Sequence, residues 1–225
     1  MVNGNNVMKL DKGIYFVSGI DTDIGKTICT GVLARLAMEQ GHSVITQKLI
    51  QTGSTEHSED VERHRELMGL ASDERFLEDI EGLTAPAIFA YPASPHLSAR
   101  LENKIIEFDE INAATETLAE RYDVVLIEGA GGLMVPLGEE VLTIDYLNAR
   151  SYPCVLVTSG RLGSINHTLL SLYALRQHNI PLHSLVFNAH DDSHDPLIAN
   201  DTREFLKKYL ERHFPKAQFV EVDSQ

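Results

Sequence analysis

Cysteine, basic residues and long apolar runs are scarce in this sequence, and each scarcity removes a class of protein. Only two cysteines occur, Cys29 and Cys154. They are too few and too far apart for a disulfide framework or a zinc-ligand spacing. Both lie in apolar surroundings and read as small core residues. No apolar run approaches the roughly 18–20 residues of a transmembrane helix. Residues 1–12 are polar and lack the apolar stretch of a secretory signal. They read as a loose tail ahead of one domain spanning residues 13–225. Lys plus Arg number 19 against 33 Asp plus Glu, giving a formal charge of −14 and a pI near 5.1. Such a chain is poorly matched to nucleic acid or to an anionic membrane surface. These absences together fit a cytoplasmic protein.

The apolar material present amounts to 43% of the residues, ample for a core, and it comes in short pieces. Ile14–Ser18, Ser43–Gln47, Asp123–Glu128, Pro153–Thr158, Ser184–Asn188 and Gln218–Val222 read as strands. The run ending at Glu128 is nearly unbroken, as a parallel strand covered on both faces requires. Between them lie helical stretches. Thr27–Gln40 is stopped by Gly41, Glu59–Met68 is ended by Gly69, and Asp109 caps a helix to about Glu120. Ser164–His178 turns Ile165, Leu169, Leu172 and Tyr173 inward. A capping box at Asp201 and Glu204 opens a helix that buries Phe205, Leu206, Tyr209 and Leu210. Residues 79–100, with Pro86, Pro92 and Pro95, read as irregular. Strand and helix in alternation predict an α/β fold of three layers, a mostly parallel sheet flanked by helices. Ligands of such folds sit at the carboxyl ends of the strands.

Ser18 to Thr27, Ser-Gly-Ile-Asp-Thr-Asp-Ile-Gly-Lys-Thr, follows a strand and opens a helix. This is the context of a phosphate-binding loop. Gly19 and Gly25 let backbone amides turn inward around an anion, and the helix start adds the positive end of its dipole. Lys26 is placed to reach terminal phosphates and Thr27 to put its hydroxyl on Mg²⁺. Five residues separate the two glycines, one more than in the common loop.

Other polar residues admit two readings each. Glu128 ends its strand ahead of Gly129-Ala130-Gly131-Gly132, either as a metal ligand or as a surface strand end. Asp60 either joins the metal or complements a helix dipole. Lys48 is an ordinary solvated lysine unless its strand end faces the loop, where a second cation would stabilise a transferred phosphoryl group. Nearby, Thr52 offers a hydroxyl. Gly160 to His167 is a second glycine-bearing turn before a helix, where free amides hold an anion or Ser164 caps the helix. His190 and His194 have the spacing of helical metal ligands but stand in a loop. Asn188 and Asp191 match the guanine-reading spacing of GTPases without its lysine.

The chain resembles the dethiobiotin synthetase family of the P-loop NTPase superfamily. The resemblance rests on Gly19 to Thr27 with its five-residue spacing, Lys48 to Gly53, Ser94-Pro95-His96, Glu128 to Gly132 and Gly163 to His167. It implies that Asp23, Ile24, Gly25, Lys26, Thr27 and Ile28 wrap the triphosphate of ATP. Thr27, Asp60 and Glu128 would hold Mg²⁺, Gly129, Ala130 and Gly131 would line the nucleotide, and Asn188 would read the base. Lys48 and Lys26 would be catalytic. Thr22, Lys48 and Thr52 would meet the substrate 7,8-diaminononanoate (7,8-diaminopelargonate). The amides of Gly163, Ser164, Ile165 and Asn166 would hold its carboxylate across a homodimer interface. The implied chemistry is ring closure with CO₂ through a carbamate and a carbamic-phosphoric anhydride. Two rivals fit less well. Amide-forming cobyrinate-type synthetases append a glutamine-hydrolysing domain, and partitioning ATPases carry an extra lysine where Ile20, Asp21 and Thr22 stand here.

Overall fold

The strand Val124–Gly132 shows why the molecule is layered. Successive strand residues point to opposite faces. Val124 and Leu126 pack into one buried cluster, and Val125 and Ile127 into another. All four are fully buried, and each such burial contributes roughly 1.5–3 kcal/mol. A strand apolar on both faces needs helices on both faces.

The computed structural model describes residues 8–70, 76–191 and 195–223. In chain order the elements are β1 (Gly13–Gly19), α1 (Lys26–Glu39), β2 (Val44–Lys48), β3 (Gln51–Thr52), α2 (Glu59–Met68), α3 (Leu77–Ile80), β4 (Ile88–Phe89), α4 (Pro95–Leu101), α5 (Phe108–Arg121), β5 (Val124–Gly132), α6 (Thr143–Arg150), β6 (Cys154–Ser159), α7 (Ser164–Gln177), β7 (Leu182–Asn188), α8 (Pro196–His213) and β8 (Gln218–Val222). Six strands form one sheet in the order β2-β5-β1-β6-β7-β8, with every pairing parallel. Helices α1 and α2 cover the face of Val124 and Leu126, while α5 to α8 cover the face of Val125 and Ile127. A separate parallel pair, β3 with β4, continues beyond the end of β2.

This is the three-layer parallel α/β architecture expected. Several local expectations are corrected. Residues 8–12 are not loose: Met8 and Leu10 are buried in the α1 face, and the Lys9 backbone N–H donates to Gln218 Oε1 while its carbonyl accepts from Gln218 Nε2. Residues 1–7 lie outside the described residues. Pro95 sits at the first position of α4, where its missing N–H costs nothing, so the proline-rich stretch is not all irregular. Helix α5 has Glu107 at its cap position and Asp109 in its first turn. Asp201 and Glu204 do not open a helix, because α8 begins earlier, at Pro196. Asp195 caps it by accepting from Leu197 N at 2.9 Å. Tyr173 and Phe205 lie on exposed flanks of their helices.

Register matters most at one point. Glu128 on β5 lies opposite Lys48 on β2 and Val17 on β1. The carboxylate, the second-strand lysine and the end of the first strand therefore meet at the carboxyl edge of the sheet, where β1 runs into the glycine-bearing loop.

Candidate active site

Between β1 and α1 the backbone turns left-handed twice, at Asp23 (φ 56°) and Gly25 (φ 92°). Gly25 cannot be replaced cheaply. A Cβ there would lie 2.1 Å from Asn188 Nδ2, and its φ is strained for any L side chain. Asn188, at the end of β7, donates to Ile24 O at 2.9 Å, and its Oδ1 accepts from His190 N at 3.1 Å. The loop is thus buttressed from a strand far away in sequence. Asp21 orders its outer limb. Its Oδ1 accepts from Thr22 N, its carboxylate pairs with Arg161 at 2.8 Å, and its carbonyl accepts from Lys26 Nζ at 3.1 Å.

Behind the loop four side chains converge. Thr27 Oγ1 stands 2.9 Å from Asp60 Oδ1 and 3.1 Å from Glu128 Oε1. Lys48 Nζ lies 2.5 Å from Asp60 Oδ2 and 2.7 Å from Glu128 Oε1. Each is delivered by a different element. Thr27 comes from the first turn of α1, Lys48 from the end of β2, Glu128 from the middle of β5, which runs on past it to Gly132 rather than ending there as expected, and Asp60 from the first turn of α2. A short chain of bonds holds that turn: Ser58 Oγ caps α2 by accepting from Val61 N, and donates to Gln51 Oε1 at 2.6 Å. Lys48 is 6% exposed and Glu128 1%, so neither is a solvated surface group. Lys48, Asp60 and Glu128 thus meet in one cluster, while Asp60 also stands in the first turn of α2, where it complements the helix dipole.

Electrostatics follow from that crowding. Burial alone would push the Glu128 carboxyl up, but Lys48 and His64 together pull it below the ordinary carboxylate range. Burial likewise works against the Lys48 ammonium, and Glu128 with Asp60 outweighs it, leaving Lys48 above the ordinary lysine value. Lys26 has no such pair. Burial holds it below the ordinary value despite Glu128, with Lys48 adding repulsion.

Thr22, Asp23, Gly25, Lys26, Thr27, Ile28, Lys48, Thr52, Asp60, Glu128, Ala130 and Gly131 all line one open cavity of about 440 Å³. The remaining expected residues do not. Ile24 and Asn188 are buried beneath the loop. Gly129 packs against Phe16, whose ring lies 2.8 Å from a Cβ built there. Gly163 to Asn166 begin α7 outside this cavity, with Gly163 left-handed at the cap and no side-chain cap from Ser164. His194, and with it the expected pair with His190, lies outside the described residues.

Sequence reasoning missed His64 and Arg65. His64 is fully buried and places Nε2 2.7 Å from Glu128 Oε2. Arg65 bonds Thr46 Oγ1 and makes a two-point contact with Asp79. A signal existed. Asp60 and His64 are four apart on one helix, so they share a face.

The donor set suits a hard divalent cation. Two carboxylates and a hydroxyl are the partial oxygen shell that Mg²⁺ takes when phosphate oxygens complete it. Among the described residues no three His, Cys, Asp or Glu side chains form a metal cage of their own.

Comparison with known proteins bears on the family and the fold. Residues 14–214 match a family described as an AAA domain. The ATP-dependent dethiobiotin synthetase BioD 2 of Pasteurella multocida is 50% identical over 210 residues, covering 93% of this chain and 97% of that protein. The ATP-dependent dethiobiotin synthetase BioD of Chlorobaculum tepidum is 46% identical, covering 96% and 90%. Among solved structures, a putative plasmid partition protein from Borrelia burgdorferi bound to AMPPNP superposes with a TM-score of 0.55 at 16% identity, covering 96% of this chain and 88% of that one. A ParA family ATPase from Chlorobium tepidum gives 0.51 at 14%, covering 95% and 85%. At such identities these two share the fold.

Proposed function

The chain belongs to the ATP-dependent dethiobiotin synthetase family, and from that premise we propose how its residues divide the reaction. Its activity is the ATP-dependent ring closure that makes dethiobiotin in biotin biosynthesis, with ATP as co-substrate. The substrates are 7,8-diaminononanoate and CO₂. One amine captures CO₂ as a carbamate. A carbamate oxygen attacks the γ-phosphorus of ATP, the bond to ADP breaks, and a mixed anhydride forms. The second amine then attacks the carbamoyl carbon, the carbon–oxygen bond breaks, and phosphate leaves with the carbamate oxygen.

The observation that supports this division is the meeting of Lys48, Thr27, Asp60 and Glu128 beside the phosphate loop. Two anions must approach each other, so cations must stand at their meeting point. Lys26 steadies the terminal phosphates, and Lys48 faces the carbamate from the strand end. Thr27, Asp60 and Glu128 would hold Mg²⁺, which when bound would supply positive charge to offset that of the phosphates. Thr22 and Thr52, which both line the cavity, orient the diamine. No side chain acts as nucleophile, because both amines belong to the substrate. Asn188 acts on the nucleotide through the loop it supports.

The active unit is a homodimer. A groove of about 730 Å³ adjoins the cavity, shares Thr22 with it, and is lined by Met134, His167, Leu170 and Tyr173. Its apolar side chains are exposed, Leu170 at 61% and Tyr173 at 56%. An exposed apolar patch of this kind fits a protein partner. Gly163 to Asn166, beside the groove and outside their own chain's cavity, supply amides to the diamine carboxylate of a second copy. Among the described residues no helix is long and apolar enough to cross a membrane. With both cysteines buried and unpaired, we place the enzyme in the cytoplasm.

A single-turnover reaction with ¹⁸O-labelled bicarbonate, the diamine and MgATP tests the chemistry. Phosphate carrying one labelled oxygen, released together with dethiobiotin, is the expected result. Unlabelled phosphate would mean that water attacks ATP and that the anhydride route is wrong.

A further inference from the structure

His64 is a buried, hydrogen-bonded histidine for which the reaction above has no use. Its surroundings are fully specified. Nε2 stands 2.7 Å from Glu128 Oε2, and Nδ1 stands 3.0 Å from Thr46 Oγ1. Arg65 Nη1 donates to the same threonine oxygen at 2.6 Å, Nη2 reaches the Thr46 carbonyl at 3.3 Å, and the guanidinium is fixed by Asp79. His64, Thr46, Arg65 and Glu128 are all buried. A continuous line of bonds therefore runs from Asp79 through Arg65, Thr46 and His64 to the carboxylate.

The donor count settles which way His64 points its hydrogen. Glu128 is ionised beside Lys48, so its oxygens only accept, and Nε2 must carry a hydrogen. Thr46 Oγ1 takes one hydrogen from Arg65. It keeps both a hydrogen to give and a lone pair to offer, so it satisfies Nδ1 in either state. The bond to Glu128 is the same in both cases. The two carboxylate oxygens thereby receive different neighbours. Oε2 is tied to His64 and faces the interior, while Oε1 faces Thr27 and Lys48.

We propose that His64 is a positioning residue: it pins Oε2 of Glu128 and leaves Oε1 as the single carboxylate oxygen presented to the divalent cation. The inference rests on the assignment of Glu128 to the metal. Partners of this kind, which orient a metal ligand without touching the metal, typically govern affinity by about 10–100-fold. The helix supplies the reason for the pairing. Asp60 and His64 occupy one face of α2, so a single element delivers one ligand and aligns another.

Two near-isosteric variants separate positioning from packing. In His64→Gln the amide nitrogen reaches about the place of Nε2 and keeps the bond to Glu128. In His64→Asn it reaches only the place of Nδ1 and contacts Thr46 alone. Mn²⁺ binding to the ADP-loaded enzyme, followed by electron paramagnetic resonance, is the readout, alongside ADP affinity without metal. The expected result is Mn²⁺ affinity within about threefold of the parent for His64→Gln and weakened about 10-fold or more for His64→Asn. Metal-free ADP affinity is expected to be unmoved in both. Equal Mn²⁺ affinities in the two variants would overturn the inference. Glu128→Gln serves as the control. Intact Mn²⁺ binding there would overturn the metal reading and the inference with it. Its loss there, with equal affinities in the His64 pair, would overturn the inference alone.

Discussion

The ammonium of Lys48 lies 2.7 Å from Oε1 of Glu128, the same oxygen that Thr27 approaches to 3.1 Å. A lysine side chain thus stands where a divalent cation would be coordinated, with Asp60 as its second counterion. Removing it should separate two effects. Lys48→Met is expected to lower turnover on the order of 10²-fold, a few kcal/mol of barrier. The same change is expected to raise Mg²⁺ affinity, because the competing ammonium is gone. Steady-state ADP release and a calorimetric metal titration read the two quantities. Near-normal turnover would take Lys48 out of the chemistry.

Helices α1 and α2 touch through a glycine. A Cβ on Gly31 would lie 2.6 Å from Leu67 Cβ and 3.2 Å from the His64 Cα. Alanine is the better helix former by roughly 1 kcal/mol, but overpacking costs about 1–3 kcal/mol, and the obstruction here includes backbone. Gly31→Ala should therefore destabilise, lowering the thermal midpoint. A rise in the midpoint would show that α2 moves aside freely.

Acid should act on the Arg65–Asp79 contact. Burial raises the Asp79 carboxyl, yet hydrogen bonds from Arg65 and its charge bring it below the ordinary carboxylate value. A carboxyl depressed in the folded state contributes stability that is fully present above its unfolded value. That stability is lost as pH falls through the folded one. Asp79→Asn is expected to lose about 1–3 kcal/mol at neutral pH, with the gap from the parent closing below the ordinary carboxylate range. Urea unfolding at neutral and acid pH measures both. A gap independent of pH would remove charge from the explanation.

The groove beside the cavity offers a test of assembly. Leu170→Glu places a charge on an exposed apolar side chain. Sedimentation should then show monomer, and KM for the diamine should rise while ATP affinity holds. A dimer with unchanged KM would put the interface elsewhere.

Residues close together in the chain explain what could be read in advance. The loop from Gly19 to Thr27, the apolar strands and the acid that closes the apolar run of β5 carry local signals, and helix α2 ends where its glycine suggests. Features that depend on packing at a distance were harder to read. The roles of Asn188 under Ile24 and of His64 behind Glu128 require strands and helices to be assembled first. Local competition misled the reading of α8. Asp201 and Glu204 have cap spacing, but the earlier Asp195-Pro196 pair captures the helix start, because proline at the first position is pre-set for the turn.

The register that sets Lys48 against Glu128 also guards the assembly of the enzyme. Side chains alternate along a strand, so a one-residue slip of β5 would turn Glu128 toward the opposite helix layer. It would leave the carboxylate there without its lysine, a penalty far larger than one misplaced methyl group. Mispaired chains are thus selected against by the very charges proposed above to serve phosphoryl transfer, and the pair that would support the chemistry also checks the register of the fold.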